Sequence, residues 1–426
     1  MKMRISFITL GCRLNQAETA ILQQQCSGQG WTVVHADEPA DVAVINTCTV
    51  TAHGDADTRR LIYRLLRINR DIRIALVGCQ SQVQSEELAA LPGVHWVIGT
   101  GAKMELADIL RQDTSAGPVV AVPEIEAGSF TIAAAGMDPN RTRAHLKIQD
   151  GCDFFCSYCE IPYARGRARS RDFDDLLREA KQLAAAGHRE LVLTGINIGL
   201  YAHEGRTLLD VVRALQDIPD VLRIRISSIE ATTLGDELLA WMVNGKLCRF
   251  LHLPLQSGSD EILQAMHRRY TLADYDAFVQ RALHAVPGLC LGADVLVGFP
   301  GESDQHFNET LNYLQNSGHS YFHVFSYSDR RHNLSRNFPD KVPQAVIERR
   351  SRVLRELSAQ KRQRYLARNL GRTEHVLFEN RKRGWWTGLT DTYIRVRVAS
   401  DRDLHNAWLP VALTAVEDQQ MIGRLL

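Results

Sequence analysis

Three cysteines in the middle of the chain have the types and spacing of a metal site. Cys152, Cys156 and Cys159 stand on one short segment, 150–159, directly after an apolar run. Three thiolates on a loop suit an iron–sulfur cubane, because such clusters take cysteine sulfur ligands. A cubane has one iron more than this loop has ligands, so one iron stays open to activate another molecule. Zinc is the alternative, with His145 as a candidate fourth ligand, since a structural zinc site closes its shell with four ligands.

A second set of three cysteines is spread over the first fifth of the chain. Cys12, Cys48 and Cys79 each follow a short apolar run that predicts a buried strand. The carboxyl ends of parallel strands share one edge of a sheet, where ligands bind. The three thiols are therefore expected to converge. The other three cysteines read as ordinary packed residues, and we assign them no chemistry; they are Cys26, Cys248 and Cys290.

The elements around the second set alternate between strand and helix. Residues 4–10, 41–46 and 72–77 predict buried strands, and residues 16–25 and 58–68 carry helical spacing. Strand–helix–strand alternation predicts an α/β domain with a parallel sheet. Residues 115–138 then turn small and weakly patterned, which suits a linker.

The alternation restarts at about residue 143. Predicted strands cover 144–149, 190–194, 222–227, 250–256, 292–298 and 321–327. Six such repeats indicate an open, partial (β/α)6 barrel with functional groups at the strand carboxyl ends. Residues 343–370 form one basic helical pattern, and short runs at 375–378, 393–398 and 407–410 predict a small antiparallel β-barrel.

Length and composition indicate an ordinary globular protein. A chain of 426 residues should form about two to four domains. Gly11-Cys12 resembles a lipoprotein cleavage site, but the apolar run 5–10 is shorter than the roughly 7–15 residues of a signal core. No run approaches the ~20 apolar residues of a membrane span. We expect a cytoplasmic protein with no membrane partner.

Net charge is only +1, so any affinity for nucleic acid must come from local patches. Arg165, Arg167, Arg169 and Arg171 alternate just after the central cysteines. They suit either a solvated charged face or a phosphate track beside the site. The basic helix, together with Lys382, Arg383, Trp385 and Trp386, adds charge and aromatic rings of the kind that bind unstacked RNA.

The central loop resembles the CxxxCxxC signature of radical S-adenosylmethionine enzymes. The resemblance implies a [4Fe-4S] cluster whose open iron is chelated by the cofactor's methionine group. Electron transfer to the sulfonium then yields a 5′-deoxyadenosyl radical. Tyr158 matches the aromatic residue near the adenine. The strand ends supply further matches for the cofactor's carboxylate, ribose and amino groups, although each alone also suits a cap or turn; these are Thr194, Gly195, Ser227, Glu230 and Gln256.

Nearly the whole chain is similar to the radical methylthiotransferases. In that family the amino-terminal cysteines hold an auxiliary [4Fe-4S] cluster, and a terminal β-barrel of the TRAM type follows the core. The resemblance implies bounds of 1–114 for the first domain, 115–138 for the linker, 139–370 for the core with its basic helix, and 371–426 for the barrel. It also implies a tRNA anticodon stem-loop as partner, together with an electron donor and a sulfur source.

Several motifs resemble the branch that acts on N6-threonylcarbamoyladenosine, where sulfur and methyl are installed on C2 of the adenine. These are residues 11–19, 149–152, 161–166 and 266–270. The chain departs from the family pattern at Glu160, at Gln80 and across 329–338, which lacks a Gly-Thr sequence. The rival substrates are isopentenyladenosine in tRNA and a ribosomal-protein aspartate. A non-catalytic iron–sulfur RNA-binding protein or redox sensor is the alternative from another class.

Overall fold

The first part of the chain forms a parallel sheet with helices on both faces. The computed structural model describes residues 2–49, 52–137 and 141–426. Strand order in the sheet is β2-β1-β3-β4-β5-β6, with every pairing parallel. The strands are β1 (Arg4–Thr9), β2 (Thr32–Val34), β3 (Val42–Thr47), β4 (Arg73–Gly78), β5 (Val94–Ile98) and β6 (Val119–Ala121). The helices are α1 (Arg13–Gly28), α2 (Ala52–Ile68), α3 (Cys79–Val83), α4 (Ser85–Ala89) and α5 (Leu106–Ile109), with a 3-10 turn at Lys103–Glu105.

Apolar side chains cover both faces of this sheet. On β3, Val42 and Val44 belong to one buried cluster, whereas Ala43 and Ile45 belong to another on the opposite face. Successive residues of a strand point to opposite faces, so a strand buried on both sides reads as a continuous apolar run. The predicted parallel α/β arrangement is confirmed. Strands β2, β5 and β6 were not anticipated from the sequence, and β6 lies within residues 115–138.

The middle part contains six parallel strands that curve into a partial barrel. Two sheets, β13-β10-β7 and β14-β15-β16, are connected by single parallel bridges between Ile224 and Leu247 and between Ser228 and His252. The six barrel strands are β7 (Arg143–Lys147), β10 (Glu190–Thr194), β13 (Arg223–Ile226), β14 (Phe250–Gln256), β15 (Cys290–Val297) and β16 (Tyr321–Ser326). This part also has two short antiparallel pairs, β8 (Gln149–Asp150) with β9 (Arg169–Ser170) and β11 (Ala202–His203) with β12 (Arg206–Thr207). The (β/α)6 prediction is confirmed, and its six strands lie within a few residues of the predicted ones.

Helices cover the outside of the partial barrel, and several begin at side-chain caps. Asp172 caps one helix by accepting from the Asp175 amide, and Thr271 and Ser303 form capping boxes at two others. The helices are α6 (Ile161–Arg165), α7 (Phe173–Ala185), α8 (Leu208–Gln216), α9 (Asp236–Asn244), α10 (Asp260–Ala265), α11 (Leu272–Ala285), α12 (Asp304–Asn316) and α13 (Gln344–Ala367). Short 3-10 turns lie at Ile198–Leu200, Ala231–Thr233 and Leu334–Asn337. Among the described helices none has the length and apolar character needed to cross a membrane.

The last part is a closed five-stranded barrel. Its strands are β17 (Thr373–Lys382), β18 (Trp385–Leu389), β19 (Arg395–Ala399), β20 (Trp408–Glu417) and β21 (Gln420–Leu425). Its pairs are antiparallel except β19 with β21, which pair in parallel and close the barrel. The small β-barrel prediction is confirmed. Cys248, Phe250 and Cys290 belong to the barrel's apolar core, so the barrel packs against the amino ends of β14 and β15.

Candidate active site

Cys152, Cys156 and Cys159 lie on the loop between β8 and α6. The loop begins at Gly151, where φ is +69° and a Cβ would stand 1.9 Å from the Arg167 carbonyl oxygen. Only glycine tolerates both the left-handed backbone and this close approach. The Cys152 amide donates to the Gly166 carbonyl at 3.1 Å, which ties the two ends of the loop together. The backbone is thus fixed while the three thiols remain half-buried.

The spacing of the thiols favours a cluster over a single ion. Tetrahedral zinc with Zn–S bonds of ~2.3 Å holds its sulfurs about 4 Å apart. Among the described residues, the set that brings three ligand atoms within 4.8 Å of one another is His252, Asp294 and His323, and neither cysteine set does so. In each set at least one pair of sulfurs is therefore more than 4.8 Å apart, which a cubane with one cysteine on each of three irons allows and one zinc ion does not. Burial raises the pKa of the Cys159 thiol, which favours its protonated form in the absence of a bound cation.

Cys12, Cys48 and Cys79 meet at the carboxyl edge of the first sheet, because they follow the neighbouring strands β1, β3 and β4. Gly11 has a φ of +87°, and a Cβ there would lie 2.6 Å from the Cys48 Cβ and 2.7 Å from its Sγ. This glycine therefore allows the Cys12 loop to contact Cys48. Cys79 is buried, whereas Cys12 is exposed and Cys48 half-buried.

A buried ion network lies between the two cysteine sets. Arg165, at the end of α6, donates from Nη1 to Glu18 at 2.9 Å and to Asp150 at 3.0 Å. Its Nε donates to the Cys79 sulfur at 3.1 Å. Lys147 bridges the same two carboxylates at 2.8 and 2.6 Å. Burial alone would raise the pKa of Glu18, but the surrounding cations outweigh it and hold that pKa well below its usual range. The network is ionised and fixes the first sheet against the radical loop.

A cavity of about 910 Å³ joins the second cysteine set to the barrel strands. Cys12 and Cys48 line it together with three of the predicted cofactor residues, Thr194, Gly195 and Ser227. The Ser227 hydroxyl is buried and has no hydrogen-bond partner among the described residues. A buried polar atom without a partner is costly, so a water or another molecule in the cavity would stabilise this hydroxyl.

The other predicted cofactor residues lie elsewhere. Tyr158 and Gln256 line a smaller cavity of about 180 Å³ beside Cys159. Asp294 lines both cavities and connects them. Glu230 is ion-paired with Arg268, whose other guanidinium nitrogen donates to the Cys156 sulfur at 3.4 Å. Of the six predicted cofactor residues, three therefore line the large cavity and two line the smaller one. Glu230 instead supports the radical loop through Arg268.

The alternating arginines after the radical loop do not form a continuous phosphate track. Arg165 and Arg171 are fully buried, and Arg171 pairs with Asp175 at 2.6 Å. Arg167 is exposed and lies 3.6 Å from Asp153. The phosphate-track interpretation is wrong for the buried pair, because carboxylates inside the protein, rather than solvent or RNA, take up their charge.

Known proteins resemble the chain over most of its length. Residues 146–314 match the family model described as Radical SAM superfamily, and residues 4–99 match that of Uncharacterized protein family UPF0004. Threonylcarbamoyladenosine tRNA methylthiotransferase MtaB of Aquifex aeolicus is 37% identical over 93% of this chain and 96% of its own length. The protein of the same name from Bacillus subtilis is 36% identical over 94% of this chain and 91% of its length. The chain belongs to the radical S-adenosylmethionine methylthiotransferase family.

Other members and solved structures agree with this family. The tRNA-2-methylthio-N(6)-dimethylallyladenosine synthase of Novosphingobium aromaticivorans is 32% identical over 98% of this chain and 96% of its length. The solved structure of the radical S-adenosylmethionine methyltransferase TsrM from Kitasatospora setae has a TM-score of 0.54 at 16% identity, covering 76% of this chain and 75% of that one. At that identity the likeness supports the fold of this methylthiotransferase.

Two departures from the family pattern contact each other. Glu160, which follows the third cysteine of the radical loop, is buried and pairs with His332 Nδ1 at 2.6 Å. His332 lies in residues 329–338, the other departure. In the same segment Arg330 pairs with Asp55 at 2.8 Å and donates to the Thr49 hydroxyl at 2.7 Å. In this methylthiotransferase, residues 329–338 therefore contact both the end of the radical loop, at Glu160, and the residues that follow Cys48.

Sequence reasoning missed several residues of the cavity wall. His252 donates from Nε2 to Asp294 Oδ1 at 2.9 Å, and His323 Nδ1 lies 3.3 Å from the same oxygen. A charged or polar residue inside an otherwise apolar strand was the available signal, as in residues 290–297 around Asp294. Arg355 and Arg362 lie on one face of α13 and also line the cavity. They belong to the basic helical pattern of residues 343–370, but nothing in that pattern placed them at a cavity.

Proposed function

We propose that the protein is a tRNA methylthiotransferase that adds a methylthio group to C2 of N6-threonylcarbamoyladenosine next to the anticodon. The observation that carries the proposal is the shared cavity, in which Cys12 and Cys48 face the same space as Thr194 and Ser227. A sulfur site and a radical site must both reach one carbon atom, and a single cavity between two domains provides that access. The relatives named for threonylcarbamoyladenosine reach 37% identity, against 32% for those named for dimethylallyladenosine.

The cofactors are S-adenosylmethionine and two [4Fe-4S] clusters. We propose Cys152, Cys156 and Cys159 as ligands of the radical cluster and Cys12, Cys48 and Cys79 as ligands of the auxiliary cluster. When bound, these cofactors supply the radical that activates the C2–H bond and the sulfur and methyl groups that replace the hydrogen. Side-chain bases cannot remove this hydrogen, because it is not acidic enough, which is why the step falls to a cofactor.

The role of the chain's own residues is to bind and orient the cofactor. We propose that Thr194, Gly195 and Ser227 bind S-adenosylmethionine from the large cavity, and that Tyr158 and Gln256 bind it from the smaller one. The smaller cavity adjoins the radical loop, because Cys159 lines it, and Asp294 connects it to the large one. Glu230 is assigned a supporting role instead, because its carboxylate is occupied by Arg268.

We propose that exposed arginines of α13 and the β17–β18 hairpin bind the anticodon stem-loop. Arg349, Arg352, Arg364 and Arg368 are exposed along α13, and Lys382 and Arg383 are exposed at the hairpin. Trp386 is buried in the barrel, so of the two hairpin tryptophans only the half-buried Trp385 remains for contact with RNA. Phosphate contacts of this kind make affinity depend on salt.

The division into domains also remains a proposal, with bounds of 1–114, 115–138, 139–370 and 371–426. The family matches at 4–99 and 146–314 and the barrel start at Thr373 support it. Strand β6 argues for moving part of 115–138 to the first domain. Residues 138 and 139, which mark the end of the linker and the start of the core, lie outside the described residues. An electron donor and a sulfur source, in the cytoplasm with the tRNA, complete the proposal.

Mass spectrometry of tRNA nucleosides from a deletion strain tests the proposed function. We expect N6-threonylcarbamoyladenosine to accumulate without its methylthio group and the product to return when the gene is restored. Persistence of the methylthiolated nucleoside, in a strain with no second enzyme of this family, would show that the substrate is wrong. A reductant-dependent assay for 5′-deoxyadenosine separates an enzyme from a non-catalytic binding protein, which would produce none.

A further inference from the structure

One face of the basic helix α13 forms part of the large cavity. Arg355, Ser358, Ala359 and Arg362 line it, at the spacing of residues that share a helix face. Arg13, the first residue of α1 and the neighbour of Cys12, lines the same cavity from the first domain. Three guanidinium groups from two domains therefore face one space beside the proposed sulfur site.

Carboxylates of the described part of the chain do not neutralise these arginines. Among the described residues, no carboxylate oxygen lies within 4.0 Å of a side-chain nitrogen of Arg13, Arg355 or Arg362. Arg13 donates to the Tyr393 hydroxyl at 3.2 Å, and Arg362 donates to the Tyr393 carbonyl oxygen at 3.2 Å. Among the described residues that line the cavity, Asp294 carries the carboxylate. That carboxylate is already paired with His252 at 2.9 Å and with His323 at 3.3 Å.

The positive charge at this end of the cavity affects a neighbouring phenol. Burial would raise the pKa of Tyr393, but Arg13, Arg143 and Arg225 together lower it below its ordinary value. A lowered phenol pKa against burial indicates a positive local potential. This end of the cavity is thus prepared to receive an anion.

We propose that Arg13, Arg355 and Arg362 form an anion subsite that binds the carboxylate of the threonylcarbamoyl group. The inference rests on the proposed function and extends it to substrate choice. Guanidinium groups bind carboxylates through paired, charge-assisted hydrogen bonds. A dimethylallyl group carries no charge and leaves the three arginines without an anionic partner, so the subsite selects against it.

The placement of the subsite suits the geometry of the nucleoside. Sulfur is added at C2, whereas the threonine carboxylate is attached through N6, so the base must contact the sulfur site and the anion subsite at different positions. Cys12 and Arg13 are adjacent in the chain, at the N-cap and the first residue of α1, and provide both contacts from one helix end. Tyr321 and Phe325 of β16 line the same cavity and offer aromatic faces for a flipped-out base.

The test compares the reconstituted holoenzyme with a variant carrying both R355Q and R362Q. Arg13 is left unchanged in the main variant, because a substitution beside Cys12 can disturb a cluster ligand. Affinity is measured by fluorescence anisotropy for anticodon stem-loop RNAs bearing adenosine, N6-threonylcarbamoyladenosine or dimethylallyladenosine at the target position. We expect the wild type to prefer the threonylcarbamoyl RNA over the adenosine RNA by about tenfold, the effect of one charge-assisted interaction. The double variant should lose this preference and retain its affinity for the adenosine RNA.

The matched control is the variant R349Q and R364Q, which removes the same charge from exposed positions of α13 outside the cavity. This control should weaken the binding of all three RNAs in equal proportion and keep the preference for the threonylcarbamoyl RNA. If the cavity variant also weakens all three equally, the arginines bind RNA phosphate and the proposal is overturned. An unchanged preference in the cavity variant overturns it as well. A wild-type enzyme that methylthiolates only the dimethylallyl RNA would instead disprove the proposed function, which keeps the two failures distinct.

Discussion

Arg165 donates a hydrogen bond from Nε to the sulfur of Cys79, 3.1 Å away, although the two residues are 86 positions apart. The same guanidinium contacts Glu18 and Asp150, so it is fixed in orientation from three directions. It is fully buried. The arginine that ends the helix after the radical loop thus contacts a proposed ligand of the other cluster.

The first prediction follows from this contact. Hydrogen bonds to cluster sulfurs raise the reduction potential, because they stabilise the more negative reduced state. Arg165→Lys keeps the charge but loses the Nε donor. We expect the midpoint potential of the auxiliary cluster to fall by on the order of 60 mV, the one-electron equivalent of roughly 1.4 kcal/mol. Potentiometric titration followed by electron paramagnetic resonance measures this shift.

Arg268→Lys is the matched control for that titration, because Arg268 donates to Cys156 at 3.4 Å. It should move the potential of the radical cluster and leave the auxiliary one in place. An unchanged auxiliary potential in the Arg165 variant, with both clusters present, would contradict the role assigned to Arg165.

Substitutions in one cysteine set or the other should distinguish cleavage of S-adenosylmethionine from sulfur insertion. Cys156→Ala is expected to abolish cleavage of S-adenosylmethionine, because the radical loop keeps too few thiols. Cys48→Ala should spare uncoupled cleavage to 5′-deoxyadenosine and eliminate sulfur insertion. Both products are measured by mass spectrometry in one reaction. Methylthiolated RNA from purified Cys48→Ala enzyme would rule out the assignment of two clusters.

Gly11 should be essential for the auxiliary site. Gly11→Ala forces a Cβ to within 2.6 Å of the Cys48 Cβ at a φ of +87°. We expect the variant to bind no more iron than Cys48→Ala does, since the Cys12 loop must move away. Gly28→Ala is the matched control, because a Cβ at Gly28 meets nothing within 4 Å. Equal iron content in the Gly11 variant and the wild type would refute the close-contact argument.

Glu190 should matter for stability and not for chemistry. It begins β10 and is fully buried between Arg225 at 2.7 Å and Arg223 at 2.6 Å. Burial raises its pKa, but the two arginines outweigh this and hold the pKa below its usual range. Glu190→Gln leaves buried cations unpaired and should lower the free energy of unfolding by about 3–5 kcal/mol near neutral pH.

The pH dependence of this loss has a definite sign. A lowered carboxyl pKa contributes stability above the unfolded value of ~4.3, and that contribution disappears as the pH falls through the folded-state pKa. The difference between wild type and Glu190→Gln, measured by urea denaturation, should therefore shrink below about pH 4. Asp57→Asn, which breaks the exposed pair with Arg60, should cost no more than ~1 kcal/mol. A difference that grew on acidification would contradict the assigned ion pairs.

The sequence by itself determined the architecture and indicated the chemistry of the cysteines. Alternating apolar runs placed the six strands of the partial barrel within a few residues, because buried parallel strands need continuous apolar side chains. The position of Cys12, Cys48 and Cys79 after successive strands predicted their convergence, since parallel strands share one carboxyl edge. These features are local in the chain, and local patterns are what a sequence displays.

The tertiary structure alone decided which arginine charges are available to bind a ligand. Arg165 and Arg171 read like Arg167 in the sequence, yet two are buried against carboxylates and one is exposed. Whether a guanidinium is neutralised depends on residues far away in the chain, such as Glu18 for Arg165. The cavity between Cys12, Ser227 and Arg362 likewise exists only once three parts of the chain pack together. Long-range packing and charge pairing have no local pattern, so they appear only in the fold.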